Sequence, residues 1–161
     1  MPLPLFDTLE RLQQNEKELF KELTDELHTH QPIVLSIMLS LPEKHPMPIS
    51  DELMKLYLLV WSHFRSEPAC RQKRLSENAF ETTYQRNLNM LKYLEGETEK
   101  AEKRRITASD LHKVKSPELT AVIIHCLNHW PQLNKLSITN KGLELLSLKT
   151  LIEALEALTD N

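Results

Sequence analysis

Leu53-Met-Lys-Leu56-Tyr57-Leu-Leu-Val60-Trp61-Ser-His-Phe64 is the stretch that decides the fold. Its large apolar residues recur at Leu53, Leu56, Tyr57, Val60, Trp61 and Phe64. That is the i, i+3, i+4, i+7, i+8, i+11 series of one helix face. A half-buried strand would alternate with period two instead. Ser50 just ahead is a good N-cap type, and Asp51 and Glu52 suit the positive end of a helix.

The same periodicity extends in both directions. Leu5, Leu9, Leu12, Glu16, Leu19, Leu23 and Leu27 trace a near-heptad stripe, widened by Phe6 and Phe20, and predict one helix from residue 5 to about His28. Asp7 is its candidate cap, with Glu10 completing a capping box. Pro32 suits the first position of a second helix. Ile33 to Leu41 is apolar nearly all round, which predicts a central helix or a buried strand. Pro42, Pro46 and Pro48 predict a stiff linker from Leu41 to Ile49. Phe80, Tyr84, Leu88, Leu91 and Leu94 mark a fourth helix closed by Gly96.

Farther along, residues 97–106 carry charges of both signs without an apolar stripe, and read as a linker or a solvated helix extension. Thr107 and Asp110 are possible caps of a short helix. Ser116 and Pro117 open a firmer one with a stripe of Leu119, Val122, Ile123, Cys126, Leu127 and Trp130, stopped by Pro131. Residues 133–138 read as irregular or strand-like. Leu145, Leu148, Leu151, Ile152, Leu155 and Leu158 define the last helix. The expectation is an all-α, single-domain bundle of about five to seven helices spanning 1–161, with Trp61 and Trp130 in or near the core.

Composition narrows the function classes. The chain has 161 residues and 2 glycines, and neither Gly96 nor Gly142 sits in a phosphate-binding loop or dinucleotide fingerprint. Common nucleotide-binding α/β folds are therefore not expected, and no cofactor is. Cys70 and Cys126 form no C-x-x-C pair and fit free thiols in a reducing compartment. Met1-Pro2-Leu3-Pro4-Leu5 lacks the basic start and apolar run of a secretory signal. The longest strongly apolar stretch, residues 32–41, is far short of the ~20 residues needed to span a bilayer. The expectation is a cytoplasmic protein with no membrane contact.

Net charge is −3, unevenly distributed. Residues 1–30 are acidic and residues 70–105 basic. Arg71, Lys73, Arg74, Lys103, Arg104 and Arg105 are candidates for contact with nucleic acid or an acidic partner. Aromatics for stacking bases are sparse beside them, so nucleic acid is the less favoured partner. His125 and His129, four apart on one helix face, are candidate metal ligands, but a third ligand and the glutamate of H-E-x-x-H are absent from the local sequence. The His28-Thr-His30 step fits the negative end of a helix dipole. His63 fits a core-edge position.

Leu136-Ser-Ile138-Thr139-Asn140-Lys141-Gly142-Leu-Glu-Leu145-Leu146 resembles the wing-exit and last-helix phrase of winged-helix transcription regulators. The resemblance covers about eleven residues and implies that 117–130 is the recognition helix. That helix holds no Arg or Lys, and 131–138 is short for a two-stranded wing, so no DNA-contact residue is carried over. With no catalytic constellation in view, the chain reads as a non-enzymatic helical interaction module. It is expected to meet itself or another protein through an amphipathic helix. A nucleic-acid-associated regulator and a metal-dependent or acid–base enzyme around His125 and His129 are the alternatives.

Overall fold

The computed structural model describes residues 5–95 and 116–160, with side chains 93–95 excepted. Among these, 85% are helical, eight α-helices form, and no strand occurs. They are α1 (Leu5–Gln13), α2 (Lys17–His30), α3 (Pro32–Lys44), α4 (Met47–Phe64), α5 (Pro68–Gln72), α6 (Glu77–Glu95), α7 (Pro117–His129) and α8 (Ile138–Thr159). A 3₁₀ turn, Leu133–Lys135, precedes α8. The all-α class expected from the periodicity holds, and Trp61 and Trp130 are both buried. Residues 96–115, with the expected helix stop Gly96, the charged stretch 97–106, the basic cluster Lys103, Arg104 and Arg105 and the capping candidates Thr107 and Asp110, lie outside the described residues.

Helix α4 is the axis of the fold. Leu56, Tyr57, Leu58, Leu59, Val60 and Trp61 are six consecutive residues with no solvent exposure. A helix turns 100° per residue, so this run is enclosed on every side. It packs against α1, α2, α3, α7, α8 and the 3₁₀ turn. Helix α8 is similarly enclosed, between α4, α5, α6 and α7. Fully burying each leucine on these helices contributes about 2 kcal/mol before entropy is counted.

Several sequence boundaries move. The single helix expected over 5–28 is two helices. The break is at Asn15, whose φ of 58° is left-handed, a conformation Asn tolerates better than other residues with a Cβ. Asn15 N–H donates to the Leu12 carbonyl and Glu16 N–H to the Arg11 carbonyl, closing α1. Glu16, which interrupts the leucine stripe, accepts two bonds from the Arg11 guanidinium. Asp7 and Glu10 lie inside α1, so Asp7 is not the residue ahead of the helix. The stripe itself closes within the chain: Leu12, Leu19, Leu23 and Leu27 are buried.

Helix α3 runs through Pro42 to Lys44 and α4 begins at Met47, so the linker expected over 41–49 shrinks to His45 and Pro46. Ser50 is therefore not a cap; buried inside α4, its hydroxyl donates to the His45 carbonyl at 3.0 Å. Nor is α3 central. Only Val34, Met38 and Leu41 are buried, while Leu39 is 66% exposed. The strand-like reading of 133–138 gives way to the 3₁₀ turn, whose N–H groups at Gln132 and Leu133 are capped by Glu52 Oε1, both at 2.9 Å. That leaves no room for the wing of the winged-helix resemblance. Ser116 does precede α7, but its hydroxyl faces His63 Nε2 at 3.3 Å instead of capping the helix.

A buried glutamine joins distant parts of the chain. Gln31, with no solvent exposure, lies between α2 and α3. Its Nε2 donates to the carbonyls of Cys70 (2.7 Å) and Lys73 (2.8 Å), and its Oε1 accepts the Leu75 N–H (2.8 Å). Removing it strands these backbone groups, each costing about 1–3 kcal/mol when unsatisfied. We expect Gln31→Ala to lower the unfolding free energy by about 3 kcal/mol in urea titration, whereas Gln13→Ala on the exposed face of α1 stays within about 0.5 kcal/mol of the parent.

Candidate functional site

The side chains nominated by sequence go to separate places. Arg71 and Arg74 sit at the end of α5, beside the C-terminus of α2. Arg71 Nε donates to the Arg65 carbonyl (2.5 Å), and its guanidinium lies 3.5 Å from Glu26. Arg74 reaches the Thr29 carbonyl at 3.4 Å. Cations are favoured there, where helix carbonyls lack intrahelical partners. Lys73 lends its own carbonyl to Gln31. The described half of the basic cluster thus joins α5 to α2.

Glu26 is the centre of that junction. It accepts from Trp61 Nε1 (3.1 Å) and Arg65 Nε (3.0 Å), and pairs with the terminal nitrogen of Arg65. His30 stacks on Trp61 with ring centroids 6.4 Å apart, and its Nδ1 donates to the Arg71 carbonyl at 3.1 Å. His63 meets Phe64 edge-on. These contacts give His30 and His63 structural partners.

His125 and His129 do come together. Their rings stack 4.2 Å apart on the exposed face of α7, and His129 Nδ1 donates to the His125 carbonyl at 2.9 Å. Stacked parallel rings do not aim both nitrogens at one point. Among the described residues no group of three His, Cys, Asp or Glu side chains is placed to share an ion.

Two concave surfaces among the described residues bring polar and apolar side chains together. The first is a cavity of about 520 Å³ between the α1–α2 turn and the start of α4. Leu12, Phe20, Pro48 and Met54 supply its apolar part. Glu16 and Glu52 on its wall are already engaged, by Arg11 and by the 3₁₀ turn. Lys17, Lys21 and Lys55 also line it, and none makes an ion pair among the described residues. With Asp51 as the one acid left unengaged among its lining residues, the rim is basic in effect.

The second is a cleft of about 540 Å³ bounded by α3, α4, α6 and α8. Asn140, Glu144 and Ser147 form one stripe of α8, at spacings of four and three, and face it. His45 Nε2 donates to Glu144 Oε1 at 2.8 Å, with both side chains about nine-tenths buried. Tyr57 OH and Ser147 Oγ are 2.7 Å apart. Burial first, then the Glu144 charge, pushes the Tyr57 hydroxyl well above the ordinary phenol range. Tyr84 is raised by burial, Glu144 and Glu81. Both tyrosines stay neutral hydrogen-bonding groups. None of these residues was singled out from sequence except Tyr57 and Tyr84, read as core. The available signal was the spacing of Asn140, Glu144 and Ser147 at four and three, which puts them on one face of α8.

No family model, curated protein or solved structure matches this chain.

The two cysteines are the remaining potential nucleophiles. Cys70 and Cys126 are free and buried. Cys70 Sγ donates to the Leu155 carbonyl at 3.8 Å. Burial, and then Glu67 for Cys70 and Glu52 for Cys126, pushes each thiol up to about 11. The thiolate is the reactive form, so both are inert near neutrality. An aromatic disulfide reagent at pH 8 should titrate neither thiol in the folded protein and both after guanidinium is added. The raised values also set a stability trend. The folded state holds these protons above the unfolded thiol range, so their contribution is complete below about pH 8.5 and is lost as pH rises toward 11.

Proposed function

We propose that this chain is a non-enzymatic helical interaction module that self-associates, with the lysine-rimmed groove receiving α1 of a second copy. The observation that carries the reading is Phe6. It is 70% exposed on a helix whose Leu5, Thr8, Leu9 and Leu12 face inward. A phenylalanine that open to water gains up to about 3 kcal/mol from full burial.

Charge selects the occupant. Asp7 and Glu10 stand exposed beside Phe6, and the groove presents Lys17, Lys21 and Lys55 around Phe20, Pro48 and Met54. An acidic helix with one aromatic anchor matches a basic rim around an apolar floor. Phe6 lies near the start of α1, and the groove includes Leu12 near its end. Two copies related by a two-fold axis, their α1 helices antiparallel, would each place Phe6 in the other's groove. Such an exchange closes on itself and yields a dimer instead of a filament.

No described helix is long and apolar enough to cross a membrane. Two unpaired, buried thiols support a cytoplasmic setting.

The test is light scattering across concentrations from micromolar to several hundred micromolar. We expect a rise toward twice 18.8 kDa. Phe6→Glu should keep the protein monomeric with circular dichroism and Tm unchanged, since Phe6 packs on little within its own chain. Asp7→Lys should weaken the dimer, and adding Lys21→Asp should restore it. A strict monomer throughout, or a dimer indifferent to Phe6→Glu, overturns the reading.

A further inference from the structure

The second cleft holds a feature that the packing of the bundle does not require. Glu144 is about nine-tenths buried, yet only Oε1 is engaged, by His45. Its Oε2 has no protein hydrogen bond among the described residues. Unlike Glu156 Oε1, this oxygen is not sealed from the surface, so a donor in the cleft can reach it. His45 holds the carboxylate in place through one oxygen, and the other lines an open cleft.

The surroundings specify what would fit that oxygen. Phe80 and Tyr84 of α6 are half-buried on the wall, with ring centroids 6.3 Å apart and planes 20° from parallel. Glu81 stands between them in the chain and also lines the cleft. The facing cation, Lys44, is an exposed residue at the end of α3. Two carboxylates and two aromatic faces favour a positive group. Hydroxyls at Tyr57 and Ser147 offer additional polar contacts beside Glu144.

Space is sufficient. The cleft of about 540 Å³ is in the range of small-molecule sites. It continues along α3 and α6 into a second hollow of about 590 Å³, the two sharing Ile37, Ser40, Phe80 and Glu81. That extension is walled by Ile33, Ile37 and Phe80 and suits an apolar body.

From this geometry we infer that the α3–α6–α8 cleft binds a small organic cation with an apolar body, its N–H donated to Glu144 Oε2. A primary amine or an amidine meets the description. The charged N–H···O⁻ contact supplies the stronger bond, and the rings hold the carbon portion. This site shares no lining residue with the self-association groove and needs no second copy.

Isothermal titration of the whole chain with phenethylamine and benzamidine, beside 2-phenylethanol and 3-phenylpropionate, tests the assignment. Saturable binding of the two cations is expected, at least tenfold tighter than the neutral and anionic analogues. Glu144→Gln retains an acceptor for His45 and should keep the helical spectrum while weakening amine binding at least tenfold. Phe80→Ala, at a half-buried position, should weaken it several-fold without unfolding the chain. Failure of both cations to bind, equal affinity for 2-phenylethanol, or undiminished binding in folded Glu144→Gln overturns the inference.

Discussion

The fold depends on one constraint: a helix buried on all sides must be surrounded before it is stable. Residues 56–61 of α4 have no polar side that water could cover. The only hydrogen-bonding side-chain atoms on that run, Tyr57 OH and Trp61 Nε1, are each given one partner, Ser147 and Glu26. These two polar contacts also fix the rotation of α4 against α8 and against α2. Apolar packing alone is non-directional, whereas a buried donor aimed at one acceptor discriminates among rotations. The core is therefore held by area and oriented by a small number of bonds.

The second level of organisation is polar clasps between segments remote in sequence. Gln31 clasps α5 and the turn that follows it, and Glu52 clasps the 3₁₀ turn. Asn87 joins α6 to α8 by donating to Thr150 at 3.0 Å and accepting from Lys149 at 3.2 Å. Each meets backbone or side-chain groups that burial would otherwise leave unpaired. The Gln31 clasp is wholly buried, so salt has little purchase on it, whereas the Asn87 clasp continues through Lys149 to Glu153 and the exposed Arg86.

Helix existence was legible in the sequence because the apolar period of α2, α4, α7 and α8 is strong over several turns. Boundaries were less so. Asn15 breaks the first stripe through a backbone conformation that the spacing of leucines does not encode, since the stripe resumes in phase at Leu19. Prolines misled in the opposite direction: Pro42 lies inside α3 and forfeits the bond to the Met38 carbonyl without ending the helix, and Pro48 falls in the first turn of α4, where no N–H is needed. The candidate sites were legible hardly at all. His45 sits in what reads as a proline linker, and its partner Glu144 is 99 residues away. A pairing at that separation leaves no local pattern. The histidines that did form a pattern, His125 and His129, stack with each other on an exposed face.

The order of elements along the chain has a consequence for biosynthesis. Helix α4 is made early, but two of the surfaces that enclose it, α7 and α8, are made late. At roughly 5–20 residues per second, translation leaves the oily flank of α4 bare for seconds after it leaves the ribosome. The nascent intermediate therefore carries an exposed hydrophobic face that the finished molecule lacks, and it is during that interval that the chain is most open to chaperones and to premature association.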